Sequence, residues 1–461
     1  MAHGCETSLA RRARKWLAVA CSTLALGGAA ASISFAQSNG GAPLPGPRTC
    51  FWARPPVGAD PYVNVAYPDA GAYYWTAVFT APEGATVDLR GAFPRARYAS
   101  LISYDESGRP IEALADYRIA PDPGSSNPFV VGASRDARQR NFAVRLSADA
   151  PDPNRVEGRR VEGAQNVLHA PGAGARRQQI IIYRIYVPDR GRDIAGGAPL
   201  PTPVVTLADG RRLEGSAACA ALNAGQQSQL TAGALSIPLA QYRRLAERGD
   251  RAPGWPATET PTWYVQYDRQ YLLGIYTGER PAGARRSEGG FFPNPDNNYI
   301  RTIINRAYGP VLVLRGRMPS TPHTREGDAV MGEGDLRYWS MCSNQGFANT
   351  RVTDCAYDEE VPVDANGFYT IVVSREADRP RNAIERCGVA WIRWADDGDG
   401  AVDENAGVLQ IRNMLAAPEF EHAIQRITQI GTEAEVMGEY LPRAAYTMRN
   451  SFEADHACPL E

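Results

Sequence analysis

Arg97-Tyr98-Ala99-Ser100 and Arg337-Tyr338-Trp339-Ser340 place a guanidinium, a phenol and a hydroxyl at one spacing, twice in one chain. On an extended strand Tyr98 and Ser100 share a face, and so do Tyr338 and Ser340, because side chains alternate with a period of two. A pocket built from such groups suits a small anionic ligand or a glycan. Asp116 follows the first copy and Asp354 the second, each offering a counter-charge to an arginine. Two readings compete. In one, Arg97, Tyr98, Arg337, Tyr338, Asp116 and Asp354 form a binding site. In the other, arginine–aspartate pairs join neighbouring strands and hold the fold. Occurrence in both copies favours the second, since a duplicated fold is kept twice whereas an active site is usually kept once.

The other chemistry is sparser. Asp397, Asp399 and Asp403 can present oxygens to Ca2+, with Gly400 allowing the turn. A helix-loop-helix calcium loop would want Asp at Ala395 and Glu at Ala406, so an acidic surface turn competes with the ion site. No other cofactor is called for. Beyond residue 36 the histidines are His169, His323, His422 and His456, far apart in sequence. That excludes the His-x-His pair and the His-Glu-x-x-His helix of metal hydrolases. No Gly-x-Ser-x-Gly elbow occurs, and the catalytic residues of any reaction stay unknown. Lys15 is the only lysine, so a chain cut after the leader has no Schiff-base or phosphate-loop lysine.

The elements that must position these groups follow from composition. Arg11–Lys15 is basic, an Ala- and Leu-rich run follows from Trp16, and small Ser34 and Ala36 suit a signal peptidase. Residues 1–36 read as a signal peptide cut after Ala36, which places the product in the periplasm or outside the cell. No later run approaches the ~18 apolar residues of a membrane span, so no transmembrane anchor is expected after cleavage. The leader holds Glu6 against Arg11, Arg12, Arg14 and Lys15, a net of +3, so the formal −2 of the whole chain becomes −5. No basic patch dominates, and nucleic acid is not an expected partner.

Six cysteines remain beyond the leader, and an even number in an exported chain reads as disulfides with 15 connectivities open. Position favours Cys50–Cys219 bracketing the first half, Cys342–Cys355 across a hairpin, and Cys387–Cys458 tying the tail.

Apolar runs are short and broken by turns such as "APEG", "DESGRP" and "DANG". That pattern predicts strands over 73–79, 85–91, 98–104, 141–147 and 179–187, and a β-sandwich. Helical periodicity is confined to 239–247 and 419–430, the latter with Phe420, Ile424 and Ile427 on one face. The dense aromatics of 262–276 suit core packing better than sugar stacking.

Tyr74–Pro94 aligns without a gap to Tyr299–Pro319, with Leu-Arg-Gly at 89–91 and 314–316. The glycine of that triplet is expected to follow a strand, where the chain turns. Further along, Asp116 answers Asp354 and Arg184 answers Arg393. A shared order of motifs predicts two homologous repeats: 45–225 and 263–461, the second ending in a helix, with a linker at 226–262.

Asn294, Asp296, Tyr299, Gly309, Pro310, Arg337 and Tyr338 resemble the motifs of exported bacterial proteins grouped as domains of unknown function 1254 and 1214. There an Asn-x-Asp-x-x-Tyr segment precedes a Gly-Pro-Val strand and an Arg-Tyr strand. The first copy departs from the pattern, with Tyr67 for the Asn and Glu83-Gly84-Ala85 for Tyr-Gly-Pro. The resemblance implies a jelly-roll β-sandwich and carries no established reaction.

The expected fold is therefore mostly β, as two tandem jelly-roll-like antiparallel β-sandwich domains with a few short helices. The expected role is ligand binding or envelope association. The alternative is a carbohydrate- or ester-active hydrolase with its site between the domains.

Overall fold

The computed structural model describes residues 45–152, 156–157, 160–161, 166–174, 177–230, 234–247, 249–265, 269–279 and 291–458. The expected leader, 1–36, lies outside them. The chain is mostly β. Its first half forms β1 (Ala72–Phe79), β2 (Thr86–Ala92), β3 (Ala96–Tyr104), β4 (Pro110–Ala115), β5 (Asn141–Ser147), β6 (Val156–Glu157), β7 (Arg160–Val161), β8 (Val167–His169), β9 (Gln179–Pro188), β10 (Thr202–Thr206) and β11 (Arg212–Leu213). The second half forms β12 (Tyr264–Val265), β13 (Asn297–Asn305), β14 (Val311–Arg317), β15 (Tyr338–Asn344), β16 (Val352–Tyr357), β17 (Phe368–Ser374), β18 (Val389–Arg393), β19 (Ala406–Met414) and β20 (Arg443–Thr447).

These strands make two pairs of sheets. In the first half one sheet runs β1-β9-β3-β4-β7-β6 and the other β11-β10-β2-β5-β8. In the second half the orders are β12-β13-β19-β15-β16 and β18-β17-β14-β20. The order β1-β9-β3-β4 matches β13-β19-β15-β16, and β10-β2-β5-β8 matches β20-β14-β17-β18. Both halves also contain one parallel pair at the same place, β5 with β8 and β17 with β18.

One core fills each sandwich. Trp52, Trp75, Phe79 and Leu89 anchor the first, and Trp339, Tyr369, Trp394 and Ile411 the second. A third apolar cluster joins Tyr74, Tyr98 and Tyr186 of the first half to Tyr338, Tyr357 and Met414 of the second. It lies between the β1-β9-β3-β4 sheet and the β13-β19-β15-β16 sheet. Every residue of β3, β9, β15 and β19 is consequently buried. Sheets covered on both faces read as continuous apolar runs, which is how "ASLISY" and "QIIIYRIYV" look in the sequence.

Residues 38–461 form one compact unit. The described residues of the segment expected as a linker, 226–262, are anchored at several buried positions. The segment carries α2 (Leu239–Ala246) and buries Ile237, Tyr242 and Ala257. The other helices are α1 (Gly215–Ala221), α3 (Arg269–Thr277), α4 (Glu433–Met437) and α5 (Arg449–Asp455). None among the described residues is long and apolar enough to cross a membrane.

The expected helix over 419–430 is instead irregular, with one 3-10 turn at Ile424–Arg426. Phe420, Ile424 and Ile427 are still buried. The Asn413 side chain on β19 takes the Ile424 N–H, Pro418 and Gly431 bracket the segment, and its own backbone bonds are single i→i−3 turns such as Arg426 N–H to the Ala423 carbonyl.

The Leu-Arg-Gly glycines also differ from expectation. Gly91 and Gly316 lie inside β2 and β14, not after them. A Cβ on Gly91 would sit 2.8 Å from the Phe142 ring, and one on Gly316 2.7 Å from the Tyr369 hydroxyl. Phe142 and Tyr369 are the cross-strand partners of these glycines. Glycine is there to let an aromatic ring lie over the neighbouring strand.

The disulfides are Cys50–Cys219, Cys342–Cys355 and Cys387–Cys458, the pairing that position favoured.

Candidate functional site

The repeated Arg-Tyr motifs meet each other. Arg97 sits on β3, and its guanidinium finds its partners in the second half. Nε donates to Thr324 Oγ1 at 2.8 Å, and Nη1 donates to both Asp358 oxygens at 3.1 Å and to the Arg337 carbonyl at 3.3 Å. Nη2 binds Glu359. Arg337 answers from just before β15, donating to the Arg97 and Phe129 carbonyls and lying 3.8 Å from Asp116. The Tyr98 hydroxyl donates to Asp296 at 2.6 Å, and the Tyr338 hydroxyl donates to Asp69 at 2.8 Å. Burial holds both phenols far above their ordinary pKa, so they remain donors. Arg97, Tyr98 and Tyr338 are wholly inaccessible. These residues form a reciprocal clasp between the sandwiches.

Strand register pairs the motifs of the two halves differently from their order in the sequence. Ser103 faces Glu112 on β4, and Ser343 faces Asp354 on β16. Asp354 is therefore the counterpart of Glu112. The counterpart of Asp116 is Asp358, since Asp116 accepts the Ala99 N–H and Asp358 the Trp339 N–H. Likewise Arg184 pairs with Tyr74 and Arg412 with Tyr299, so Arg412 answers Arg184, and Arg393 answers His169. Asp354 lies outside the clasp, accepting the backbone N–H of Cys355 and Arg393.

Burial pushes the Asp116 carboxyl up to about 7, against the pull of Arg337 and two backbone N–H donors, and with Asp296 adding to the rise. An unfolded aspartate titrates near ~3.9. Between pH 4 and 7 the native state thus holds a proton that the unfolded state has lost. Stability is expected to fall across that window, Asp116 contributing up to ~1.4 kcal/mol per pH unit. Asp116→Asn should flatten the urea-midpoint profile from pH 4.5 to 7.5, and an unchanged slope would refute the assignment.

The acidic loop folds on itself. Asp399 is buried, its Oδ1 accepts the N–H groups of Ala401, Val402 and Asp403, and its Oδ2 accepts the Tyr242 hydroxyl at 2.7 Å. Asp397 takes the Gln345 amide at 2.5 Å, and Asp403 takes the Asn305 amide at 2.7 Å. The three carboxylates do not gather their oxygens within 4.8 Å of one another.

An open site lies elsewhere. A cleft of about 460 Å³ is lined by Arg95, Asp189, Arg190, Arg192, Arg325, Glu326 and Gly327. Arg95 precedes β3, residues 189–192 follow β9, and residues 325–327 belong to the insertion between β14 and β15. The cleft thus spans both halves. Asp189 is engaged behind it by Arg135. Among the described residues, neither Arg190 nor Arg192 has a hydrogen-bonding or ion-pair partner for its guanidinium. Arg140, half-buried nearby, is held below the ordinary arginine value by burial and by Arg95, Arg192 and Arg135. In a chain of net negative formal charge this is a concentrated positive patch. Its arginines escape notice in sequence because arginine carries almost every positive charge in the chain.

One further pair is confined to the first half. Glu112 is fully buried; its Oε2 lies 3.0 Å from His169 Nδ1 and accepts the His169 N–H at 2.6 Å. The equivalent positions hold Asp354 and Arg393, whose guanidinium turns away to Asp396. The Ser103 hydroxyl donates to the His169 carbonyl, not to the ring.

No family model matches the chain, and no curated protein does. Among solved structures it is similar to an uncharacterized protein from Burkholderia cenocepacia, at 12% identity, covering 84% of this chain and 79% of that one, with a TM-score of 0.43. It is also similar to the VPA0106 protein from Vibrio parahaemolyticus, at 10% identity over 83% of this chain and 90% of that one, with a TM-score of 0.36.

Proposed function

We propose that this chain is an exported, disulfide-braced protein of two tandem jelly-roll-like repeats, related to the 1254 and 1214 domains of unknown function. Its role is to bind a small anionic ligand, such as an acidic sugar, in the cleft between the repeats. The observation that carries this reading is the cleft's lining, four arginines of which two have no partner among the described residues. Unpaired guanidinium groups converging on a concave surface suit a carboxylate, sulfate or phosphate group, which accepts paired N–H bonds. The volume of about 460 Å³ falls within the ordinary range of small-molecule sites. The equal strand orders of the two halves support the duplication.

The test is calorimetric titration of the full chain with uronic-acid and sulfated oligosaccharides. Binding is expected to weaken with salt, because the site works through charge. Arg190→Ala with Arg192→Ala should weaken it about tenfold or more, each lost charged hydrogen bond being worth ~1.5 kcal/mol or above. Absence of binding at millimolar ligand, or binding indifferent to both substitutions, would refute the reading.

A second reading, an ester- or carbohydrate-active hydrolase, rests on the Glu112–His169 pair. A buried carboxylate on Nδ1 orients an imidazole as it does for a general base. Among the described residues no serine, threonine or cysteine reaches the other ring nitrogen, so the pair alone supports positioning and not turnover.

A further inference from the structure

We propose that His323, Glu326 and Glu359 form a divalent-metal site, of the kind that takes Zn2+, on the wall of the arginine-lined cleft. Each offers one ligand atom, and the three atoms lie within 4.8 Å of one another. They come from two elements, the insertion between β14 and β15 and the 3-10 turn Asp358–Glu360. An imidazole with two carboxylates is a donor set that zinc accepts, leaving a fourth position for water or ligand.

Three features favour an ion over a chance cluster. First, Glu359 is held in place. Its Oε1 serves Arg97 and the Arg325 N–H, while among the described residues Oε2 takes only the Glu326 N–H at 2.9 Å and keeps a lone pair. Outer hydrogen bonds of this sort fix metal-binding carboxylates. Second, the turn that carries His323 and Glu326 is closed on itself. The His323 N–H donates to Asp328 Oδ2, and the Asp328 N–H donates to the His323 carbonyl. Both side chains are more than half exposed and can close the remaining distance. Third, Glu326 lines the cleft with no arginine partner among the described residues, its near neighbour being His323 Nδ1 at 3.5 Å. A bare carboxylate repels the anion that the arginines attract. A bound cation removes that conflict and adds a Lewis-acidic contact for the ligand's oxygen.

The donor set and its first two supports stand without the anion reading; only the third feature rests on it. The test titrates ZnCl2 into EDTA-stripped full chain by calorimetry and follows Co2+ binding by visible absorption. One equivalent is expected to bind, and His323→Ala and Glu326→Gln should each weaken it at least tenfold. His422→Ala, whose ring nitrogen meets the Val436 carbonyl instead, should leave it unchanged. Metal binding without oligosaccharide binding would uphold this site and refute the cleft reading. Oligosaccharide binding with no Zn2+ or Co2+ uptake, or uptake equal in His323→Ala, would overturn it.

Discussion

Arg97→Met is expected to cost about 3–5 kcal/mol in urea denaturation at pH 7.5, the loss typical when one partner of a buried ion pair is removed. The substitution keeps much of the apolar stem and removes the charge. Asp358 and Glu359 then remain in the interface between the sandwiches, their side chains 2% exposed, without the guanidinium that offsets their burial. Burial already raises the Asp358 carboxyl, and Arg97 is its chief opposing influence. Arg337→Met should cost less, about 1–3 kcal/mol. Its acid, Asp116, lies 3.8 Å away and can take up a proton near neutral pH. If Arg97→Met stays within 1 kcal/mol of the parent, the clasp is not what joins the halves.

Breaking Cys50–Cys219 by double serine substitution should cost about 5 kcal/mol on the chain-entropy scale, because the bond closes a loop across a sequence separation of 169. It fixes the segment before Trp52 to α1, and Trp52 is wholly buried in the first core. Cys342–Cys355 closes a separation of only 13, worth about 3 kcal/mol on that scale. Its two residues already face each other in the β15–β16 pair, so the unbridged hairpin retains much of the constraint. Melting the two double-serine variants side by side checks the order. A larger loss at Cys342–Cys355 would contradict the loop-closure account.

The strands were legible where one rule governed them. The expected runs 73–79, 98–104, 141–147 and 179–187 fall within or upon β1, β3, β5 and β9, because turn chemistry and β-branched or aromatic residues bounded each one. The disulfide partners agree with the pairing that position favoured, although the cysteine count left 15 pairings open. The pairing of Arg97 was not. Sequence order set Asp116 against Asp354, but the β15–β16 connection is longer than the β3–β4 connection, and this hides that Asp354 aligns with Glu112. Only hydrogen-bond register shows which acid follows the strand and which lies within it. The helix expected at 419–430 failed for a related reason: apolar spacing reports which side chains are buried, not where the backbone donors go.

The sequence by itself determined most of the strand positions and the presence of a twice-written Arg-Tyr phrase, and it favoured one cysteine pairing among 15. The tertiary structure decided what that phrase is for. Its charges are neutralised only when two sheets from opposite halves stack face to face, an event of separations beyond 200 residues that no local pattern encodes. The same stacking brings Arg95, residues 189–192 and residues 325–327 to one cleft. Arginines scattered over 230 positions become a binding surface only after the apolar faces between them have closed.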